Sequence, residues 1–224
     1  MKLSTVFLGS LSIVSLLRKI KGLQECASPN ELVEIAMECP AIRPQQCTTE
    51  FLELVNLVKA QQCKYILEIG TYKGGTLFVF SQSAAADATV ISIDLSMTFI
   101  GNLYRACQAP LFRRFIRKGQ SLFLMRKDSH QPETLANIKK VLQGRNLDFL
   151  FIDGDHRYEG VRMDFGMYSP LVRKGGLIAF HDIAQSEGPE EVYKFWDEIK
   201  QSYIHKEFVH HPGQKAMGIG VLWV

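Results

Sequence analysis

Residues 65–76 read YILEIGTYKGGT, and this stretch decides the fold. Tyr65–Ile69 is a short apolar run that breaks at Gly70 into a turn carrying Tyr72, Gly74, Gly75 and Thr76. A segment of helical length, Gly75–Ala85, follows. Four further runs repeat the pattern: TVISID at Thr89–Asp94, SLFLM at Ser121–Met125, LDFLFID at Leu147–Asp153 and GLIAFHD at Gly176–Asp182. Most are nearly continuous in apolar residues, as strands buried on both faces require. Segments of helical length separate them, at Met97–Lys118, Pro132–Gln143 and Tyr158–Val172. Strand and helix alternate, so the rule for βαβ units predicts a parallel, doubly wound sheet of Rossmann-like type.

The chain closes differently. After a helical stretch around Pro189–Ser202 come EFVHH at Glu207–His211 and MGIGVLWV at Met217–Val224, joined by PGQK. Strands joined so closely pair antiparallel, because a parallel pair needs a long crossover. The expected fold is therefore α/β, with five parallel strands plus a C-terminal antiparallel hairpin, seven strands in all.

Ahead of Lys64 the periodicity is helical. Ser28 is a good N-cap with Pro29 at the first helical position, and Pro40 and Pro44 end that helix. Phe51, Leu54, Val55 and Val58 repeat at helical spacing in the next. Residues 1–63 read as a helical cap or dimerisation segment, and residues 64–224 as the sheet domain. Met1–Leu17 is apolar, but Arg18, Lys19 and Lys21 follow it without a small-x-small cleavage site, and it is too short to span a bilayer. Val6, Phe7, Leu11, Val14 and Leu17 can share one helical face, which is expected to pack on this domain or on a second copy in a homodimer, with a cleaved signal or a membrane-surface anchor as the alternative.

Bulk properties narrow the partners. The 224 residues are 46% hydrophobic and 22% charged, with a formal net charge of +3, ordinary for a globular protein with a sizeable core. That charge, with no added basic module, argues against a nucleic-acid partner. Arg113, Arg114, Arg117 and Lys118 read as the solvated face of an amphipathic helix. Five cysteines at irregular spacing, none in C-x-x-C, read as reduced thiols in a cytoplasmic protein.

Ligands of open α/β sheets lie beyond the carboxyl ends of the strands, so strand-end residues carry the chemistry. The loop after the first strand lacks the G-x-G-x-x-G spacing of dinucleotide binders, because Tyr72 stands at the second glycine position. The loop suits an adenosyl compound without a pyrophosphate. Asp94 ends the second strand 24 residues after Gly70, placed to accept ribose hydroxyls. Asp128 and Ser129, after the third strand, can border an adenine.

These blocks, LEIGTYKGGT, ISIDLS, DFLFIDGDHRYEGVRMDF and LVRKGGLIAFHD, resemble the class I methyltransferases that use S-adenosylmethionine (SAM). Among them they are most similar to the small-molecule O-methyltransferases that act on catechols and caffeoyl-CoA. The resemblance covers about Tyr65 to Val224. It implies that Glu68, Gly70, Tyr72 and Thr76 border the methionine part of SAM, that Asp94 holds the ribose, that Asp128 and Ser129 lie against the adenine, and that Asp153 sits beside the cofactor. In metal-dependent members an aspartate ends strand four and an Asp-Asn pair ends strand five. Asp153 matches the first, while His181-Asp182 stands in place of the second. Asp153, His181 and Asp182 are therefore the candidate ligands for Mg²⁺ or a similar divalent ion, although histidine suits magnesium less well than carboxylate. The family's catalytic lysine, three residues after the first aspartate, is replaced by His156.

Methyl transfer needs in-line positioning and a deprotonated nucleophile. His156 is the candidate general base, with an ordinary value near ~6.5, and Asp153 its catalytic neighbour. In Asp153-Gly154-Asp155-His156, Asp155 can equally be a helix cap and His156 a loop residue. The expected function is O-methylation of a small hydroxylated molecule. The alternatives are an NAD-dependent oxidoreductase, against which Tyr72 and the terminal hairpin argue, and a non-catalytic ligand-binding or accessory protein, which has no use for the Asp/His cluster. RNA methylation would call for a basic surface that is absent.

Overall fold

The computed structural model describes residues 3–23, 27–95, 108–211 and 213–224, with side chains in the first helix from Ser12 onward. Three helices, α1 (Leu3–Gly22), α2 (Pro29–Glu38) and α3 (Thr48–Ala60), precede the sheet. Then come β1 (Tyr65–Ile69), α4 (Gly75–Ser83), β2 (Thr89–Asp94), β3 (Ser121–Arg126), α5 (Pro132–Leu142) and β4 (Leu147–Ile152). The chain ends with α6 (Tyr158–Tyr168), β5 (Val172–His181), α7 (Val192–Ile199), β6 (Ile204–Phe208) and β7 (Ile219–Trp223).

The seven strands lie in the order β3-β2-β1-β4-β5-β7-β6. β1 pairs parallel with both β2 and β4, so the strand order reverses between β1 and β4. β7 pairs antiparallel with β5 and with β6. This is the expected doubly wound sheet with its terminal hairpin, and the reversal opens a crevice at the carboxyl ends of β1 and β4.

Alternation along the strands feeds two cores. One face sends Ile66, Val90, Phe149, Phe151 and Ala179 against Phe51, Leu54 and Val58 of α3 and Phe78 and Phe80 of α4. The other sends Leu67, Ile69, Ile93, Leu150, Ile178 and Phe180 against Ile138 of α5, Val161 of α6 and Phe195 and Trp196 of α7. The Phe80 ring meets Phe51, Phe149 and Phe151 edge-on, with centroids 5.8, 5.1 and 5.2 Å away. Truncating such a ring costs about 3–5 kcal/mol. The cap helices α2 and α3 thus share a core with the sheet.

Several boundaries differ from expectation. Of the helix expected over Met97–Lys118, residues 96–107 lie outside the described residues, and the remainder is helical only over 108–112. Phe112 and Phe115 are both buried, and the backbone tightens so that Phe115 N–H donates to the Phe112 carbonyl. Arg117 leaves the expected solvated face: its guanidinium donates to the Ala84 carbonyl. β5 starts at Val172, with its register to β4 shifted between Leu147 and Phe149. β6 is Ile204–Phe208, three residues earlier than expected; as an edge strand it reads IHKEF, polar enough to hide from an apolar search.

On α1, Leu16 is buried and Ile20 packs on the same core, whereas Val14 is 47% exposed. Lys19 of α1 pairs with Glu38 of α2 at 3.0 Å. The side chains of Val6, Phe7 and Leu11 lie outside the described residues. No described helix is long and apolar enough to cross a membrane.

Candidate active site

A cleft of about 740 Å³ lies at the crevice. Gly70, Tyr72, Thr76, Asp94, Asp128, Ser129, Asp153, His156, His181 and Asp182 all line it. One expected residue does not. Glu68 points to the α4 face, is fully buried, and reaches the cleft through Thr76, whose hydroxyl donates to Glu68 Oε1 at 2.5 Å. Burial, the largest influence, pushes the Glu68 carboxyl up to about 8 despite that hydrogen bond.

The glycine loop is shaped by the protein's own packing. Gly70 has φ +91, and a Cβ there would lie 1.9 Å from the Asp153 carbonyl oxygen, so glycine is needed where β1 and β4 part. At Gly74, φ +86, the Phe112 ring fills the space a Cβ would take. These neighbours alone are enough to require both glycines. Tyr72 also has positive φ (+48), and its backbone N–H donates to Asp94 Oδ2 at 2.9 Å. The acid at the end of β2 therefore ties down the loop that ends β1. Asp128 works similarly: it accepts from His130 N–H at 2.9 Å and Gln131 Nε2 at 3.0 Å, which hold its carboxyl below the usual range.

Across the cleft, two aspartates and two histidines converge. His156 Nδ1 lies 2.9 Å from Asp182 Oδ2, and its Nε2 lies 3.5 Å from Asp153 Oδ1. His181 Nδ1 lies 3.2 Å from Asp153 Oδ1 and 3.3 Å from Asp182 Oδ2. An extended backbone would send residues 181 and 182 to opposite faces. Asp182 instead has φ +63, a left-handed conformation that aspartate tolerates, and its carboxylate folds back beside the ring of His181.

The flanking carboxylates Asp153 and Asp182 raise the His156 imidazole to about 10. This corrects the expected value near ~6.5: two anions within hydrogen-bonding reach stabilise the imidazolium. Burial would lower His181, but Asp153 and Asp182 outweigh it and lift it to about 10. Burial likewise opposes ionisation of Asp153 and Asp182, and the two histidines reverse that, holding both carboxyls below the ordinary range. Asp155 stands apart, chelated by the Arg157 guanidinium and by its backbone N–H. It forms this local turn and is not the N-cap of α6, a position held by Arg157.

Four polar residues escaped the sequence reading. Gln46, before α3, donates from Nε2 to Asp153 Oδ2 at 3.0 Å. Glu50, 2% exposed in the first turn of α3, accepts from the backbone N–H groups of His210 and Gly218 and from Gln214 Nε2. It clasps the connection between β6 and β7, whose Ala216 and Met217 line the cleft. Asp164, in α6, is fully buried, with His130 Nε2 at 3.3 Å from Oδ1. Burial pushes Asp164 up to about 6. His130 Nε2 also faces the Gly160 carbonyl at 3.2 Å, so two acceptors mark it as the protonated ring nitrogen. No lone residue of these four carries a motif; each is placed by contacts from distant parts of the chain.

A doubly wound sheet with a reversed terminal hairpin, an acid-tethered glycine turn and a strand-end Asp/His cluster define the class: a Rossmann-like methyltransferase fold. The chain belongs to the methyltransferase domain family, whose profile matches residues 67–183. It is similar to the O-methyltransferase from Bacillus cereus in complex with SAH, with a TM-score of 0.55 and 15% identity over 88% of this chain and 90% of that one. It is also similar to the O-methyltransferase TomG from Streptomyces achromogenes, involved in tomaymycin synthesis, in complex with SAM; there the TM-score is 0.52 and identity 16% over 77% and 78%. At these identities the likeness is one of fold. Protein R132 of Acanthamoeba polyphaga mimivirus is 30% identical over 129 residues, 58% of this chain. The chain spans 55% of the length of that relative.

Proposed function

We propose that this chain transfers a methyl group from SAM to a hydroxyl oxygen of a small molecule. The observation that carries this reading is the position of His156. Its ring sits between Asp153 and Asp182 in the same cleft that holds Tyr72, Asp94, Asp128 and Ser129. The structural neighbours named above, one bound to SAH and one to SAM, support the choice of cofactor.

In this reading Asp94 accepts from the ribose, Asp128 and Ser129 border the adenine, and Gly70, Tyr72 and Thr76 flank the methionine part. Glu68 acts only through Thr76. SAM supplies an electrophilic methyl on a sulfonium. The acceptor oxygen forms the new C–O bond as the S–CH₃ bond breaks, the sulfur keeps the electron pair, and the hydroxyl proton passes to His156. Positioning supplies most of the acceleration, and a placed base a further ~10²–10⁴-fold.

The residues present also fit a divalent ion. Asp153, His181 and Asp182 offer donor atoms within 4.8 Å of one another, and these three would hold it. When bound, such an ion lowers the pKa of a coordinated hydroxyl. Without a cation His156 is protonated at neutral pH; neutralising Asp153 and Asp182 removes the cause of its raised value and frees it to accept a proton.

Assembly and location belong to the same reading. A homodimer through α1 follows from the apolar run Met1–Leu17. A cytoplasmic location is supported by the free thiols of Cys39, Cys47 and Cys63. The test is incubation of the purified chain with methyl-labelled SAM and a panel of catechols, phenols and sugars. Label in an ether product supports the proposal. Label recovered only on nitrogen or carbon, or in no product of any acceptor class, counts against it.

A further inference from the structure

We propose that the ion taken by this cleft is a borderline first-row metal of the zinc and cobalt class rather than magnesium, and that His181 makes the selection. The inference rests on the reading above only for the place of the ion.

The first observation is spacing. His181 Nδ1 stands 3.2 Å from Asp153 Oδ1 and 3.3 Å from Asp182 Oδ2. With metal–donor bonds of about 2.0–2.1 Å, adjacent donors of a tetrahedral or octahedral ion lie roughly 3.0–3.4 Å apart. The two distances from His181 Nδ1 already match edges of a coordination polyhedron.

The second is an imidazole held by charge but not by a directed hydrogen bond. His181 is 4% exposed, and neither ring nitrogen meets a hydrogen-bond partner in line. Nδ1 is paired by charge with both carboxylates yet out of line for a hydrogen bond with either. Buried polar groups almost always find a directed partner. A metal ion between the three groups would give Nδ1 one.

The third is the division of labour on Asp153. Its Oδ2 accepts from Gln46, which leaves Oδ1 as the atom facing His181. Outer hydrogen bonds of this kind orient metal-ligating carboxylates. The left-handed turn at Asp182 completes the set by bringing adjacent side chains into one cleft.

The chemistry of the donors then decides the ion. Magnesium prefers oxygen in near-ideal octahedra and keeps several waters. Imidazole nitrogen suits zinc, cobalt, nickel and iron. One nitrogen and two carboxylate oxygens, with room for an acceptor hydroxyl, favour the second group.

The test uses the full chain stripped of metal with a chelator, titrated calorimetrically with ZnCl₂, CoCl₂ and MgCl₂ in the absence of SAM. One site is expected, with zinc and cobalt at least ~100-fold tighter than magnesium. The cobalt form should show visible ligand-field absorption that is altered in His181→Asp, in which the zinc-to-magnesium preference also narrows by ~10-fold or more. Asp153→Asn should lose the site, separating it from zinc on the surface pair His210 and His211. Magnesium bound as tightly as zinc overturns the proposal, as does a cobalt spectrum unchanged in His181→Asp. Should that variant fail to fold, the wild-type zinc-to-magnesium ratio decides alone. A chain that binds S-adenosylhomocysteine but no ion overturns this inference and leaves methyl transfer standing; one that binds zinc but no S-adenosylhomocysteine does the reverse.

Discussion

Gln46 Nε2 donates to Asp153 Oδ2 at 3.0 Å, joining the segment before α3 to the end of β4 across 107 positions of sequence. The cap helices therefore help to build the reacting end of the cleft. Gln46→Ala leaves that oxygen without its donor and frees the carboxylate to rotate. Turnover should fall by ~10–100-fold, while affinity for S-adenosylhomocysteine changes little. Steady-state kinetics beside calorimetry separates the two. Unchanged turnover would show that Asp153 does not need this contact.

His156 should be the most damaging single loss in the cluster that leaves the cofactor site intact. His156→Ala is expected to lose ~10²–10⁴-fold in turnover. Rapid-quench measurement of a single turnover with labelled SAM reads the chemical step directly. A single-turnover rate within a few-fold of wild type would remove His156 from the reaction.

Glu68 makes stability depend on pH. Its carboxyl titrates near 4.5 when unfolded and near 8 when folded. The folded state thus prefers the protonated form. This contribution is fully present below 4.5 and is lost as pH rises through 8. Between pH ~5.5 and ~8.5 the wild type should lose about 3 kcal/mol relative to Glu68→Gln, which carries no charge at either pH. Urea unfolding of both proteins across that range checks it; parallel pH profiles would contradict it.

Glu50 holds the β6–β7 connection through three donors at 2.8–2.9 Å. Glu50→Ala strands these donors, one of them the buried N–H of Gly218. A loss of about 1.5–3 kcal/mol is expected by urea unfolding, with part recovered in Glu50→Gln. Amide exchange at Gly218 should quicken in the alanine variant.

The architecture was legible because parallel strands buried on both faces read as continuous apolar runs, and Leu147–Ile152 is such a run. The edge strand β6 was not, since Ile204–Phe208 alternates with histidine, lysine and glutamate. The cleft residues at strand ends were legible by position, and all but Glu68 line the cleft. Glu68 was misplaced because a five-residue strand gives no hint of which face a single acid takes. Asp164 gave no signal because acids in helices usually face solvent, and its partners His130 and Ser129 come from another part of the chain. The raised value of His156 could not be read either, since it depends on Asp182 reaching back at 2.9 Å through a left-handed turn.

The central claim is that the cleft between Gly70 and Asp94 binds the methyl donor, and calorimetric titration with S-adenosylhomocysteine tests it most directly. The account predicts one site per chain with micromolar affinity or better. Asp94→Ala removes both the ribose acceptor and the anchor of Tyr72 N–H, and should weaken binding by about 1.5–3 kcal/mol, roughly 10–150-fold. Absence of binding to the wild-type chain, or binding undiminished in Asp94→Ala, would contradict it.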